Sequence, residues 1–168
     1  MVAHTPGGLG SNLPQKHRYA WKYFVGTKWC GPGNRAKDID DLGFNYHTDI
    51  CCRAHDRCPE DIKVGTTRLG FTNNGSFTTS HCECDLEFEK CLKNAGFYIP
   101  RLVKWAYFSL LEMQCFVQIK NLNKEGKADV LVTNLEAYKS YKENAARLII
   151  PMIIPEDHIY RKLTNSTK

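Results

Sequence analysis

A mainly α, disulfide-rich domain is expected from this chain: two antiparallel helices joined by disulfides, a third helix, a glycine-rich loop and a small β-hairpin. Two segments free of Gly and Pro carry that expectation, together with the cysteines placed along them. Eight cysteines in 168 residues form an even set with CC and CxC clusters, which suits a disulfide framework or a zinc site. No CxxC spacing occurs anywhere, and two adjacent cysteines on one helix point their thiols apart. Disulfides, and therefore an oxidising compartment, are the better reading. Counting alone leaves on the order of a hundred pairings open.

The first segment, His47 to Glu60, holds nothing that breaks a helix before Pro59, and Thr48 or Asp49 can cap its start. On a helix, Cys51, His55 and Cys58 share one stripe at i, i+4 and i+7. Cys52 and Asp56 are also four apart, on a stripe rotated by roughly 100°. The second segment, Ser80 to Asn94, repeats the seven-residue cysteine spacing at Cys84 and Cys91. An antiparallel alignment pairs Cys51 with Cys91 and Cys58 with Cys84, since the residue numbers of the two pairs sum to the same value. In that register His55 lies between the bridges and near Asp85, an imidazole meeting a carboxylate.

Residues 1–22 are rich in Gly and Pro and read as an irregular leader. The opening Met1-Val2-Ala3-His4 run lacks the apolar core of a signal peptide, so a mature form with an added Met, or a truncated chain, is expected. The formal charge is +5, and Lys16, Arg18, Lys22 and Lys28 precede Trp29 with no acid among them. A basic end suits an anionic membrane or a polyanion, and equally a solvated face; no motif supports nucleic-acid binding. No transmembrane span is read, because the longest apolar run, Leu148 to Ile154, is broken by Pro151. That run reads as core packing.

Gly26 to Asn34 is a Gly-x-Gly loop carrying Cys30. A Cys30–Cys52 bridge would lay it against Asp56, and loop carbonyls with a carboxylate are hard oxygen donors suited to Ca²⁺. Asp38 to Phe44 reads as a solvated acidic linker. Lys63 to Ser80 reads as a hairpin turning at Asn74-Gly75, and Pro100 to Cys115 as the third helix, tied back by Cys82–Cys115, the pair left over. A turn at Asn123–Lys127, a strand over Val130–Thr133 and a helix over Leu135–Leu148 complete the chain. The division is thus a leader (1–22), a core (23–119) and a divergent C-terminal segment (120–168) packed on or extending it. Asn74 and Asn165 open glycosylation sequons, relevant to a secreted protein. His4, His17 and His158 read as surface residues, and His47 and His81 as structural or capping. Trp21, Tyr23, Phe24 and Trp105 suit an interfacial ring or the core.

Trp29-Cys30-Gly31-Pro32-Gly33-Asn34, His47-Thr48-Asp49, Cys51-Cys52-Arg53-Ala54-His55-Asp56-Arg57-Cys58, Cys82-Glu83-Cys84-Asp85 and Tyr107-Phe108 to Cys115 together resemble secreted phospholipase A2 of the bee-venom (group III) type. The likeness runs from about Gly26 to Cys115, and the four bridges above are those the family implies. It implies Ca²⁺ on Asp56 and the carbonyls of Trp29, Gly31 and Gly33. His55 becomes the base that activates water, oriented by Asp85, with Tyr107 supporting that Asp and the Gly31 N–H a second oxyanion donor. The reaction implied is hydrolysis of the sn-2 ester of glycerophospholipids at a membrane surface, by a secreted, extracellular monomer. Pro32 departs from the bee-venom pattern, and no cysteine follows Cys115 to form that type's additional C-terminal disulfide. Two other readings stand beside it: a non-catalytic toxin or receptor-binding protein on this scaffold, and a regulatory module binding metal through thiols.

Overall fold

The computed structural model describes residues 24–31, 35–119 and 129–147. The leader, Gly33, Asn165, the Asn123–Lys127 turn and the Leu148–Pro155 run lie outside the described residues. Within them the order is α1 (Tyr46–Asp56), β1 (Asp61–Ile62), β2 (Thr67–Arg68), β3 (Phe71–Thr72), β4 (Thr79–His81), α2 (Cys82–Asn94), α3 (Ile99–Trp105) running into a π-helical turn (Ala106–Leu110), β5 (Gln114–Ile119), β6 (Asp129–Asn134) and α4 (Leu135–Arg147).

Both Gly- and Pro-free segments are helical, with shorter bounds than the sequence suggested. The first stops at Asp56 rather than reaching Glu60. Pro59 disfavours helical backbone at the residue before it, and the last turn tightens, with Arg57 N–H donating to the Ala54 carbonyl at 3.3 Å. The second begins at Cys82, because Thr79 to His81 pair as a strand. His81 is its N-cap, its Nδ1 accepting from the Glu83 N–H at 3.2 Å, which is the capping role expected of it. Disulfide Cys51–Cys91 joins the middle of α1 to the last turn of α2, and Cys58–Cys84 joins the segment just after α1 to the first turn of α2. Cys30–Cys52 and Cys82–Cys115 complete the set, and no cysteine is free. Thiol-bound metal is thereby excluded, since every sulfur is spent in a bridge.

The sheet is larger than the one hairpin expected. A four-stranded sheet runs β1-β4-β5-β6, with β4 and β5 parallel (Ser80 opposite Cys115) and β5 and β6 antiparallel over six residues each. The third helix therefore does not reach Cys115. It closes at Leu110, Glu112 takes φ +50°, and the chain leaves as a strand. The hairpin exists, but β2 and β3 turn at Leu69-Gly70, with φ of 53° and 80°, the geometry of a two-residue hairpin turn. Asn74-Gly75 is instead part of a loop folded on the buried Asn73 side chain, whose Nδ2 donates to the Ile62 and Phe77 carbonyls at 2.8 Å.

The main core gathers Phe24, Trp29, Phe88, Leu92, Val103 and Tyr107 around the Cys30–Cys52 bridge. Phe24 is buried there rather than on an interfacial ring; Trp105 is half exposed, and Trp21 and Tyr23 lie outside the described residues. A second cluster packs Leu135 and Tyr138 on the Cys82–Cys115 bridge, so β6 and α4 extend the molecule from the back of α2. Among the described residues no helix is long and apolar enough to cross a membrane.

Candidate functional site

His55 sits on the face of α1 turned toward α2 because Cys51 on the same stripe is bonded to Cys91. Its Nε2 lies 2.7 Å from Oδ1 of Asp85, one turn into α2, and both residues are buried. The Tyr107 hydroxyl donates to the same oxygen at 3.1 Å and lies 3.4 Å from His55 Nε2. Phe88 supplies a platform on which the imidazole stacks at 4.5 Å, and Tyr107 meets the ring edge-on at 5.3 Å. The π-helical turn gives Tyr107 its place: the Leu111 N–H donates five residues back to Ala106, which rotates Tyr107 inward relative to a regular helix. Sequence reasoning placed Tyr107 on a plain helix and did not single out Phe88.

The electrostatics follow from burial. Burial pushes the His55 pKa below the ordinary 6.5, against the raising hydrogen bond to Asp85, so the ring is neutral at neutral pH. Burial, with the Asp85 charge and hydrogen bond, pushes Tyr107 well above 10, so the phenol keeps its proton and donates it. With Nε2–H given to Asp85, the lone pair sits on His55 Nδ1. That atom is buried and has no hydrogen-bond partner among the described residues. An imidazole held in one tautomer with an unengaged basic nitrogen is equipped to take a proton.

Beside this group lies the loop from Phe24 to Gly31. Cys30–Cys52 fastens it to α1, with 5.3 Å between the Cα atoms, four residues before the half-buried Asp56. Asp49, expected as a helix cap, does something else. Fully buried, it accepts the backbone N–H groups of Lys28 at 2.8 Å, Trp29 at 2.8 Å and Gly43 at 2.7 Å. Asn45 holds the N-cap position without a side-chain bond to the helix, its Nδ2 donating instead to the Val25 carbonyl at 2.6 Å. The acidic linker is likewise not simply solvated: Asp41 pairs with Lys28, accepts from the Lys37 N–H, and its carbonyl takes the Trp29 indole N–H at 3.1 Å. Lys28 first, then the Lys37 amide, hold the Asp41 carboxyl below its usual range.

The loop's carbonyls divide into two sets. Those of Phe24, Val25, Gly26, Thr27, Lys28 and Cys30 accept hydrogen bonds. Among the described residues no donor reaches the carbonyls of Trp29 and Gly31, although both residues are buried. Gly31 has φ +140°, backbone open to glycine and strained for other residues. Two carbonyls without a donor among the described residues, on a loop bridged to the helix that carries Asp56, are hard oxygen donors of the kind that suit Ca²⁺ rather than a softer metal. Gly33 lies outside the described residues, and Asn74 is exposed.

Fold and site together define a disulfide-braced domain with a buried imidazole–carboxylate dyad beside an oxygen-lined loop. The family model described as Phospholipase A2 matches residues 23–119. Phospholipase A2 of Xylocopa appendiculata circumvolans is 47% identical over 93 residues, 55% of this chain and 52% of its own length. Phospholipase A2 of Bombus terrestris is 45% identical over 94 residues, 55% of this chain and 69% of its own. Group 3 secretory phospholipase A2 of Homo sapiens is 41% identical over 110 residues, 66% of this chain and 21% of its own. The chain belongs to the phospholipase A2 family and is similar to its group III members. It spans about half the length of the Xylocopa protein and about a fifth of the human one.

Proposed function

We propose that the protein is a secreted, calcium-dependent phospholipase A2 that hydrolyses the sn-2 ester of glycerophospholipids to a lysophospholipid and a free fatty acid. The observation that carries this reading is the 2.7 Å contact from His55 Nε2 to Asp85, which leaves Nδ1 as the basic atom. His55 Nδ1 takes a proton from a water as it attacks the ester carbonyl, a contribution of about 10²–10⁴ in rate. Asp85 fixes the tautomer and stabilises the imidazolium that forms, as the carboxylate of a serine-protease triad does with a different nucleophile. Tyr107 holds the Asp85 oxygen in line, and Phe88 keeps water from the back of the ring. The Gly31 N–H is a donor to the developing oxyanion.

The residues that would hold Ca²⁺ are Asp56 and the carbonyls of Trp29, Gly31 and Gly33. Bound there, it supplies positive charge to the lipid phosphate and to the oxyanion. Pro32 lacks an N–H, but the ligands are its neighbours' carbonyls, so the substitution leaves the donor set intact. A peripheral mode of action at phospholipid surfaces, as a monomer in an extracellular, oxidising setting, accords with the four bridges. Residues 23–119 form the catalytic core in this reading, 120–168 extend it, and Asn74 and Asn165 are the glycosylation positions.

Vesicles whose lipids carry different acyl chains at sn-1 and sn-2 test this directly. The sn-2 chain alone should appear with Ca²⁺, and release should stop on addition of chelator. No release from a correctly disulfide-bonded sample, over neutral and anionic vesicles alike, would transfer the reading to a toxin or receptor-binding protein on the same scaffold.

A further inference from the structure

A cleft of about 490 Å³ opens where the end of α2 meets α3, lined by Leu92, Lys93, Arg101, Lys104, Trp105 and Ser109. None of these residues belongs to the dyad or to the oxygen-lined loop. Three of the six are cations. Lys93 and Lys104 reach the buried carboxylate of Glu89 at 3.1 and 3.0 Å, and Lys139 meets it from α4 at 2.6 Å. Burial raises the Glu89 pKa, yet the three lysines overcome that and bring it to about 2. Glu89 therefore stays a single fixed negative charge around which the lysines are arranged. Each ammonium has three N–H donors, more than one shared carboxylate can accept.

Arg101 is placed differently. Its guanidinium lies 3.8 Å above the Phe97 ring, a contact that uses the flat face and leaves the N–H edge open. Among the described residues no carboxylate pairs with it. Trp105, 51% exposed, also lines the cleft and carries an indole N–H donor. An oriented guanidinium fork flanked by two ammonium groups and neutral donors suits a tetrahedral dianion and repels a cation.

We propose that this cleft binds a phosphate-bearing anion, at a site separate from the hydrolytic centre. Binding there requires neither His55 nor Ca²⁺, so it stands or falls independently of the phospholipase reading. A lipid phosphomonoester headgroup and free phosphate share the chemistry, and two arms of one experiment separate them. In the first, sodium phosphate is titrated at constant ionic strength with chelator present, and the Trp105 indole N–H is followed by NMR. In the second, sedimentation with phosphatidylcholine vesicles is compared with and without phosphatidic acid. Arg101→Gln removes the fork and its stacking on the Phe97 ring, and Lys93→Gln removes a second donor; unchanged near-ultraviolet circular dichroism certifies both folds.

A saturable Trp105 shift that weakens about tenfold in Arg101→Gln, without preference for phosphatidate vesicles, identifies free phosphate as the ligand. Phosphatidate-dependent sedimentation that is lost in Arg101→Gln, without response to sodium phosphate, identifies a lipid headgroup. Absence of both responses in the wild type, or equal responses in wild type and both variants, overturns the proposal.

Discussion

In the proposed mechanism His55 is a base because of what surrounds it rather than because of its own chemistry. Burial lowers its pKa below 6.5 and Asp85 partly restores it, so protonation sets in only as pH falls below the ordinary histidine range. The rate of sn-2 hydrolysis should hold through neutral pH and fall on an acid limb whose midpoint lies below 6.5. Asp85→Asn should cut the rate by about 10²–10⁴ and move that limb lower still, because the interaction that raises the His55 pKa is gone. Tyr107→Phe removes the hydroxyl's hydrogen bond to Asp85, worth about 0.5–1.5 kcal/mol, and should cost about tenfold or less. A pH–rate series on the three proteins checks all of this; a Tyr107→Phe loss as large as that of Asp85→Asn would mean the phenol itself handles a proton. The dyad was legible in the sequence, since cysteine spacing alone brought His55 and Asp85 together. Phe88 was not, because an aromatic on a helix face looks the same whether it fills a core or carries a stacked imidazole.

At the level of elements, the loop and α4 each depend on one buried carboxylate. Asp49→Ala leaves the N–H groups of Lys28, Trp29 and Gly43 without their acceptor, at about 1–3 kcal/mol for each that stays buried. The loop should loosen, and Ca²⁺ affinity read from Trp29 fluorescence should fall at least tenfold while the His55–Asp85 contact survives. Unchanged affinity would show that the disulfide alone shapes the loop. Sequence reasoning saw Asp49 as a cap because capping is a local pattern, whereas its three partners lie twenty-one, twenty and six residues upstream. The Pro100–Cys115 helix was overextended for a related reason: the apolar spacing of Leu102, Val103, Ala106 and Leu110 is helical, and nothing in it announces the left-handed turn at Glu112. Glu89 fastens α4 and α3 to α2 through lysines. Its folded pKa, about 2 against the ordinary 4.5, means that its contribution is present above pH 4.5 and is lost as pH falls toward 2. Denaturation midpoints at pH 5 and pH 3 should separate in the wild type and draw together in Glu89→Gln; equal separation in both would assign the acid sensitivity to other carboxylates.

For the whole molecule, the disulfides set the geometry on which the site depends. Two of the four tie α1 and the residues just after it to α2 on either side of His55 and Asp85, a third fastens the loop to α1, and the last joins α2 to β5. Loss of a native bridge from a small domain costs about 2–5 kcal/mol, against a net stability of about 5–15 kcal/mol. Full reduction should therefore unfold the protein and abolish hydrolysis together, followed by circular dichroism and activity in one titration of reductant. Retained activity in a fully reduced, alkylated sample would show that the helix pair holds its register by packing alone. The helical framework and its bridges could be read from spacing because a disulfide obeys fixed distances; the four-stranded sheet could not, since β4 and β5 pair across more than thirty residues and no local pattern records their partner. The bridges, the loop and the buried dyad all serve His55 in its proposed role as general base of a lipid esterase. The most direct test is the initial rate of sn-2 fatty-acid release, with saturating Ca²⁺, by wild type and by a folded, fully disulfide-bonded His55→Gln variant. A loss of about 10²–10⁴ with Ca²⁺ binding retained is expected; a rate within tenfold of wild type would contradict the assignment and leave the dyad a structural pair.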